Sequence, residues 1–321
     1  MKPLKLSSVI IAVIIFVIVS SHFFGITAFA QTKYLYVSHI SENIVSVIDP
    51  SINKVIDTIQ AGKGPTCVAQ KPGSDILYIT NYTSGDVSIY DKSVRKITGT
   101  IVVGDHPCYV SFISNGDFAV VSHESNDGIC IVNTTAQNVY KRFNEGTGDI
   151  YFCDEGKTMF QPQIFTSYVF VIDASTYEII KRIEVGGRPL QLVFSPDEKF
   201  AYVSNFDLNE VEKIDTKSGE IVSRIGGIPN PRGIDITPDG KFLYVTNVVS
   251  NTLTVIDLNS NTVTKTVSVG AMPTTVLIPE GGKYAYVSDQ GAGFIIVIDL
   301  ESIEISTAIP VASNPISIVE E

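Results

Sequence analysis

The chain has 321 residues, 44% of them hydrophobic and 18% charged, which excludes a disordered polymer and describes a globular protein. Acidic side chains outnumber basic ones by 34 to 23, for a net charge of −11. Affinity for nucleic acid comes mainly from Lys and Arg on phosphates, so an acidic chain of this kind argues against it.

The first thirty residues differ in kind from the rest. Lys2 and Lys5 precede an apolar run over residues 9–19, followed by Phe23, Phe24 and Ala28-Phe29-Ala30. A positive start, an apolar stretch and a small-x-small end predict a secretory signal peptide over residues 1–30, cut after Ala30. The 22 residues 9–30 are also long enough to span a bilayer as a retained N-terminal membrane anchor. Either way residues 31–321 lie outside the cytoplasm, secreted or at the cell surface, and only this segment meets a membrane. Those residues carry 34 acidic and 21 basic side chains, a net of −13. Two sequons, Asn81-Tyr82-Thr83 and Asn133-Thr134-Thr135, make Asn81 and Asn133 glycosylation candidates.

Beyond residue 31 one phrase recurs. It begins at 35 (LYVSH), 77, 119, 159, 201 (AYVSN), 243 (LYVTN) and 285 (AYVSD), in steps of 42 residues apart from one of 40. A second marker, ending at Asp49, Asp91, Asn133, Asp173, Asp215, Asp257 and Asp299, keeps the same steps. A third is a proline at 65, 107, 189, 231, 273 and 315, with Thr147 in the one odd place. The clearest unit predicts four strands. They are 233–236, ended by the turn Pro238-Asp239-Gly240, then 242–246, 252–256 and 262–269, each alternating with period two. Four antiparallel strands every 42 residues is the period of propeller blades.

The chain opens on a second strand and ends, after Pro315, on a first strand with no blade to follow. Pairing the two closes seven blades and leaves no raw sheet edge at the seam. The expected fold is all-β, a seven-bladed β-propeller of residues 31–321, closed by the C-terminal strand on the N-terminal blade. Three residues past each proline position stand Val68, Val110, Ile150, Leu192, Ile234, Val276 and Ile318, all apolar, as both faces of a blade require. The recurring phrase is thus chiefly packing code.

LYVTN, the Val-Ile-Asp turn, the Val269-Gly270…Pro273 link and the Pro-Asp-Gly hairpin resemble the YVTN family of β-propeller repeats, over residues 33–319. The resemblance implies a surface-layer-like protein of archaeal or bacterial type and names no activity. Blade four departs from it: Met159-Phe160-Gln161-Pro162-Gln163 replaces the phrase, and a proline there predicts a bulge or break.

In a propeller the first strand starts, and the second ends, at one rim of the central channel. Three rings of residues fall there. One, closing the phrase, is His39, Asn81, His123, Gln163, Asn205, Asn247 and Asp289; another, before the proline position, includes His106 and Arg188. Just inside lie Cys67, Tyr109, Asp149, Gln191, Gly233, Thr275 and Ser317. His39, His106 and His123 share the rim, and imidazole ligates copper and zinc. With a whole blade between His39 and His123, loop hydrogen bonds are the plainer role. Tyr109, Asp149, Arg188, Arg232 and Asp235 are candidates for binding a polar or anionic ligand at the mouth. Cys67, Cys108, Cys130 and Cys153 permit three disulfide pairings or four buried thiols. No haem, Walker or Gly-x-Ser-x-Gly motif occurs, so no cofactor is expected.

Two functions fit this reading. One is a monomeric extracytoplasmic scaffold that binds a cell-surface protein or polymer. The other is a propeller enzyme, lactonase- or lyase-like or a metal-dependent oxidoreductase, working at the upper rim.

Overall fold

The structure is a computed structural model that describes residues 33–113, 115–124, 128–143 and 145–321; the expected signal segment lies outside them. Strands β1 (Leu35–His39) to β28 (Pro315–Glu320) form seven four-stranded antiparallel sheets. The seam joins as expected: one sheet runs β28-β1-β2-β3, with β2 Ile44–Asp49 and β3 Lys54–Gln60. Leu35 pairs with Glu320, Tyr36 with Val319 and Val37 with Ile318, and Tyr34 and Glu321 exchange backbone hydrogen bonds at 3.0 Å. The innermost strands are β28, β4 (Pro65–Gln70), β8 (Pro107–Ile113), β12 (Tyr151–Cys153), β16 (Pro189–Phe194), β20 (Pro231–Ile236) and β24 (Pro273–Leu277). Neighbours among them, such as β4 and β8 or β16 and β20, lie against one another around a central channel.

Packing follows the alternation. The apolar ring Val68, Val110, Ile150, Leu192, Ile234, Val276 and Ile318 is buried in every blade. Each apolar cluster joins residues of two adjacent blades; Val87 and Val103, for example, pack with Ala119 and Val132. No blade completes its core alone. The residue ending the second marker caps a turn: Asp49, Asp91, Asn133, Asp173, Asp215, Asp257 and Asp299 each accept backbone N–H bonds two or three residues on.

The fourth residue of the phrase has a sharper task. The pairing of first and second strands slips just past the proline, between Pro65 and Cys67, Pro189 and Leu192, Pro231 and Ile234, and Pro273 and Val276. The Ser or Thr hydroxyl fills the gap. Thr246 Oγ1 accepts the Gly233 N–H at 2.8 Å, Ser204 Oγ that of Gln191 at 3.1 Å and Thr80 Oγ1 that of Cys67 at 3.0 Å. The same hydroxyls reach the next blade, Ser204 Oγ to Arg232 O at 2.6 Å and Ser38 Oγ to Thr66 O at 2.8 Å. One hydroxyl therefore fastens a bulge and staples two blades.

Blade four lacks this staple because Pro162 occupies the position. The expected irregularity is real, but it falls on the neighbouring strand. β13 (Thr158–Pro162) pairs regularly with β14 (Tyr168–Asp173), Pro162 opposite Val169, while β12 shrinks to three residues. The preceding backbone is held by side chains: Gln161 Nε2 donates to Gly148 O at 3.1 Å, and Thr147 N–H donates to Gln163 Oε1 at 2.9 Å. The two-residue shortfall lies in the link between β11 (Asn138–Phe143) and β12. There Glu145 stands where the other joints place Ala61, Val103, Val185, Ile228, Val269 or Val311, and a cavity of about 440 Å³ opens beside it.

Candidate functional site

The channel holds the principal cavity, about 660 Å³, walled by residues of all seven innermost strands and the loops at their start. The slip past each proline aims the second residue after it into this space, and period two aims the fourth there as well. The sequence of each first strand thereby becomes a list of wall residues.

Asp149, Tyr109, Tyr151, Gln191 and Arg232 form one wall. Asp149 lies just before the shortened β12, so no ladder partner takes its place, and its Oδ2 accepts two long hydrogen bonds, from Tyr151 Oη and Gln191 Nε2, each 3.4 Å. Burial pushes its carboxyl up to about 6, against the pull of Arg232. The Tyr109 and Tyr151 rings lie 6.0 Å apart, tilted by 32°, and burial raises both hydroxyls. Arg232 on β20 points its guanidinium into the cavity and makes no ion pair or side-chain hydrogen bond among the described residues. It feels the charges of Asp149 and Glu124 without touching either, and burial lowers its pKa. The half-buried guanidinium has no protein partner among the described residues, and an anion entering the cavity would meet it.

Asp235 lines the same cavity deeper along β20, but its carboxylate is spent on structure. Its Oδ1 accepts Ile236 N–H at 2.8 Å and its Oδ2 accepts Ile278 N–H of the next blade at 2.6 Å. Burial still lifts it to about 7.

Arg188 stands apart from these four candidates. Its guanidinium lies 4.2 Å over the Phe206 ring and donates to Asp207 at 3.0 Å on the outer rim. The histidines do not share a centre. His39 is buried, with Nε2 on Ser46 Oγ at 2.9 Å and Nδ1 on Ser313 O at 3.2 Å, and burial lowers its pKa. His123 is buried between the carbonyls of Val103 and Gly128, both 3.1 Å away, and His106 stacks on Tyr82. Among the described residues no three His, Cys, Asp or Glu side chains gather as a metal site would require. The ring of His39 and His123 latches loops: Asn205 Nδ2 bonds Gly186 O at 2.8 Å, and Asp289 Oδ1 accepts Ala271 N–H at 2.9 Å.

Asn81 is another of these latches, fully buried, with Nδ2 on Asp86 and Ser88 at 2.7 and 2.8 Å. Its nitrogen has no room for a glycan in the folded chain. Asn133 caps a surface turn through its Oδ1. No disulfide joins any of the four cysteines; Cys67 and Cys108 border the channel cavity, and burial raises both thiols. Tyr151 and Glu124 escaped the sequence reading. Tyr151 was reachable by carrying the period-two step one residue pair down from Asp149, whereas Glu124 reaches the mouth from the loop after β9 (Phe118–His123), which has no periodicity to follow.

Fold and repeats together define the protein as a repeat protein of the seven-bladed β-propeller class. Two family models agree with that class, each over part of the chain: a YNCE-like beta-propeller over residues 197–283 and the LVIVD repeat over residues 281–318. No curated protein matches the sequence. Solved structures of the same fold include Kuenenia stuttgartiensis hydrazine synthase (21% identity, TM-score 0.73, 84% of this chain and 93% of that one). The periplasmic gluconolactonase of Pseudomonas aeruginosa is similar at 18% identity and TM-score 0.75, covering 90% and 98% of the two chains. A functionally unknown protein from Desulfotomaculum acetoxidans reaches TM-score 0.77 at 15% identity, covering 89% and 98%. At these identities the likeness is one of fold.

Proposed function

We propose that the protein is an extracytoplasmic binding propeller of the YVTN repeat type, which captures a small anionic ligand in the mouth of its channel. The observation that carries this reading is the unpartnered Arg232 guanidinium in a cavity of about 660 Å³ built by all seven blades. Export is supported by the character of the first thirty residues and by the periplasmic relative of like fold. The outer surface of the blades remains available to a cell-surface protein or polymer. The test is a thermal-shift screen of small carboxylates, sugar acids, α-amino acids and phosphate esters against wild-type protein and Arg232→Gln. A ligand that raises the wild-type melting temperature and not that of the variant supports the reading. A screen in which no anion shifts the wild type, or in which the variant responds equally, ends it.

One observation favours a second reading, an enzyme that opens a lactone. Asp149, its carboxyl raised to about 6, is mostly ionised at neutrality and faces the cavity beside Gln191, as a general base for water attack would. Proton release from glucono-δ-lactone, abolished in Asp149→Asn, would establish it; no release above the spontaneous rate dismisses it.

A further inference from the structure

Resting on the channel-binding reading, the geometry points to a narrower ligand class: we propose that the cavity binds a zwitterion of the α-amino-acid type. Its carboxylate meets Arg232, and its ammonium group lies between Asp149 and the paired rings of Tyr109 and Tyr151. Charge balance across the cavity selects the ligand. Arg232 faces Asp149 and Glu124 across the cavity and pairs with neither. A simple anion would satisfy Arg232 and place further negative charge beside two carboxylates. A simple cation would satisfy Asp149 and leave the guanidinium bare. A molecule with both charges a few ångströms apart completes both groups at once.

The anionic half of the site is also unfinished in the right way. Asp149 Oδ2 holds only the two 3.4 Å contacts from Tyr151 and Gln191, leaving lone pairs for a donor from the cavity. The tilted tyrosine pair adds π faces that attract an ammonium group and only weakly a neutral hydroxyl. The groups that face Asp149 are Tyr109, Tyr151, Gln191, Arg232, Glu124 and the thiols of Cys67 and Cys108. Arg232 is the only cation among them. A ligand ammonium would therefore hold Asp149 ionised, and the affinity gains a pH dependence that a hydroxy acid would not share.

Titration calorimetry on residues 32–321, a compact unit of itself, tests this with matched probes. Alanine, serine and phenylalanine are each compared with the α-hydroxy acid of the same skeleton (lactate, glycerate, phenyllactate) and with the amine lacking the carboxylate. The expected result is that at least one amino acid binds tenfold or more tightly than both its analogues, and that its affinity falls as pH drops from 7.5 to 5. Arg232→Gln should remove binding, and Asp149→Asn should bring amino and hydroxy acid to equal affinity. Both variants are checked for the wild-type circular dichroism spectrum, and the wild-type comparison stands without them. Equal or tighter binding of the hydroxy acids, or binding of gluconate with no amino acid, overturns the zwitterion and leaves the channel reading intact. Silence from every probe here and in the broader anion screen overturns both.

Discussion

A hydroxyl, a carboxyl and a glycine each set local stability in a different way. Thr246 Oγ1 accepts the Gly233 N–H and donates to Thr274 O across the blade boundary, so Thr246→Val strands a buried donor and an acceptor together. Such orphaned groups cost about 1–3 kcal/mol each, and urea unfolding should register a loss of that order. Glu212 is fully buried, holds Asn205 Nδ2 and Arg224 Nη1 at 3.0 Å on Oε1, and leaves Oε2 unpaired. Burial lifts its carboxyl from an ordinary 4.5 to about 8. The folded chain thus keeps a proton that the unfolded chain releases. The associated stability is full below about pH 4.5 and is lost as pH rises through about 8. Glu212→Gln should flatten this slope, removing a change on the order of a few kcal/mol between pH 5 and 8, measured by denaturant midpoints across that range. Gly270 has φ +93°, and a Cβ on it would collide with the Asp289 carboxylate. Gly270→Ala should lower the melting temperature by several degrees, through both strain and loss of the Asp289 latch on Ala271.

Strands show where reading a sequence succeeds and where it stops. The expected strands 242–246 and 252–256 are β21 (Phe242–Asn247) and β22 (Thr252–Asp257), because period two, β-branched content and flanking turn residues all agreed there. The bulge that every third and fourth strand share, as between Val255 and Ile256, left no such trace, since an extra residue in an exposed strand interrupts no buried pattern. The channel wall was half legible. Tyr109, Asp149 and Asp235 followed from register, but Arg232 directly follows Pro231, off the two positions that register selects, and Arg188 occupies a loop whose direction Phe206 and Asp207 decide. Nor does register tell a free charge from a used one; Asp235 and Asp149 look alike in the sequence, yet one is anchored by two backbone amides. In blade four, Pro162 removes the hydroxyl that receives the backbone N–H of the position equivalent to Asp149 in other blades. Pro162→Thr should restore the hydroxyl and lengthen β12. Hydrogen exchange at Asp149 and Ile150 should slow by tenfold or more.

At the scale of the whole ring, stability rests on each blade sharing its core with the next, so no blade can leave without exposing two apolar faces. Removing residues 315–321 strips β1 of its inner partner and uncovers Leu35, Val37 and Tyr286, which Ile318 helps to cover. The truncated chain should lose its cooperative thermal transition and sediment as oligomers, whereas a deletion confined to Glu321 should leave both unchanged.

Joining head to tail also dictates the order of events when the chain first acquires its shape. Tyr36 must wait for Val319, a partner some 280 residues downstream. Blades can nucleate from neighbours close in sequence, but the last click of the clasp carries the longest loop penalty. Until it comes, β1 offers a naked, sticky flank to any passing strand. A newly made copy is therefore most vulnerable at its beginning, and a chaperone that masks the first blade would protect it best.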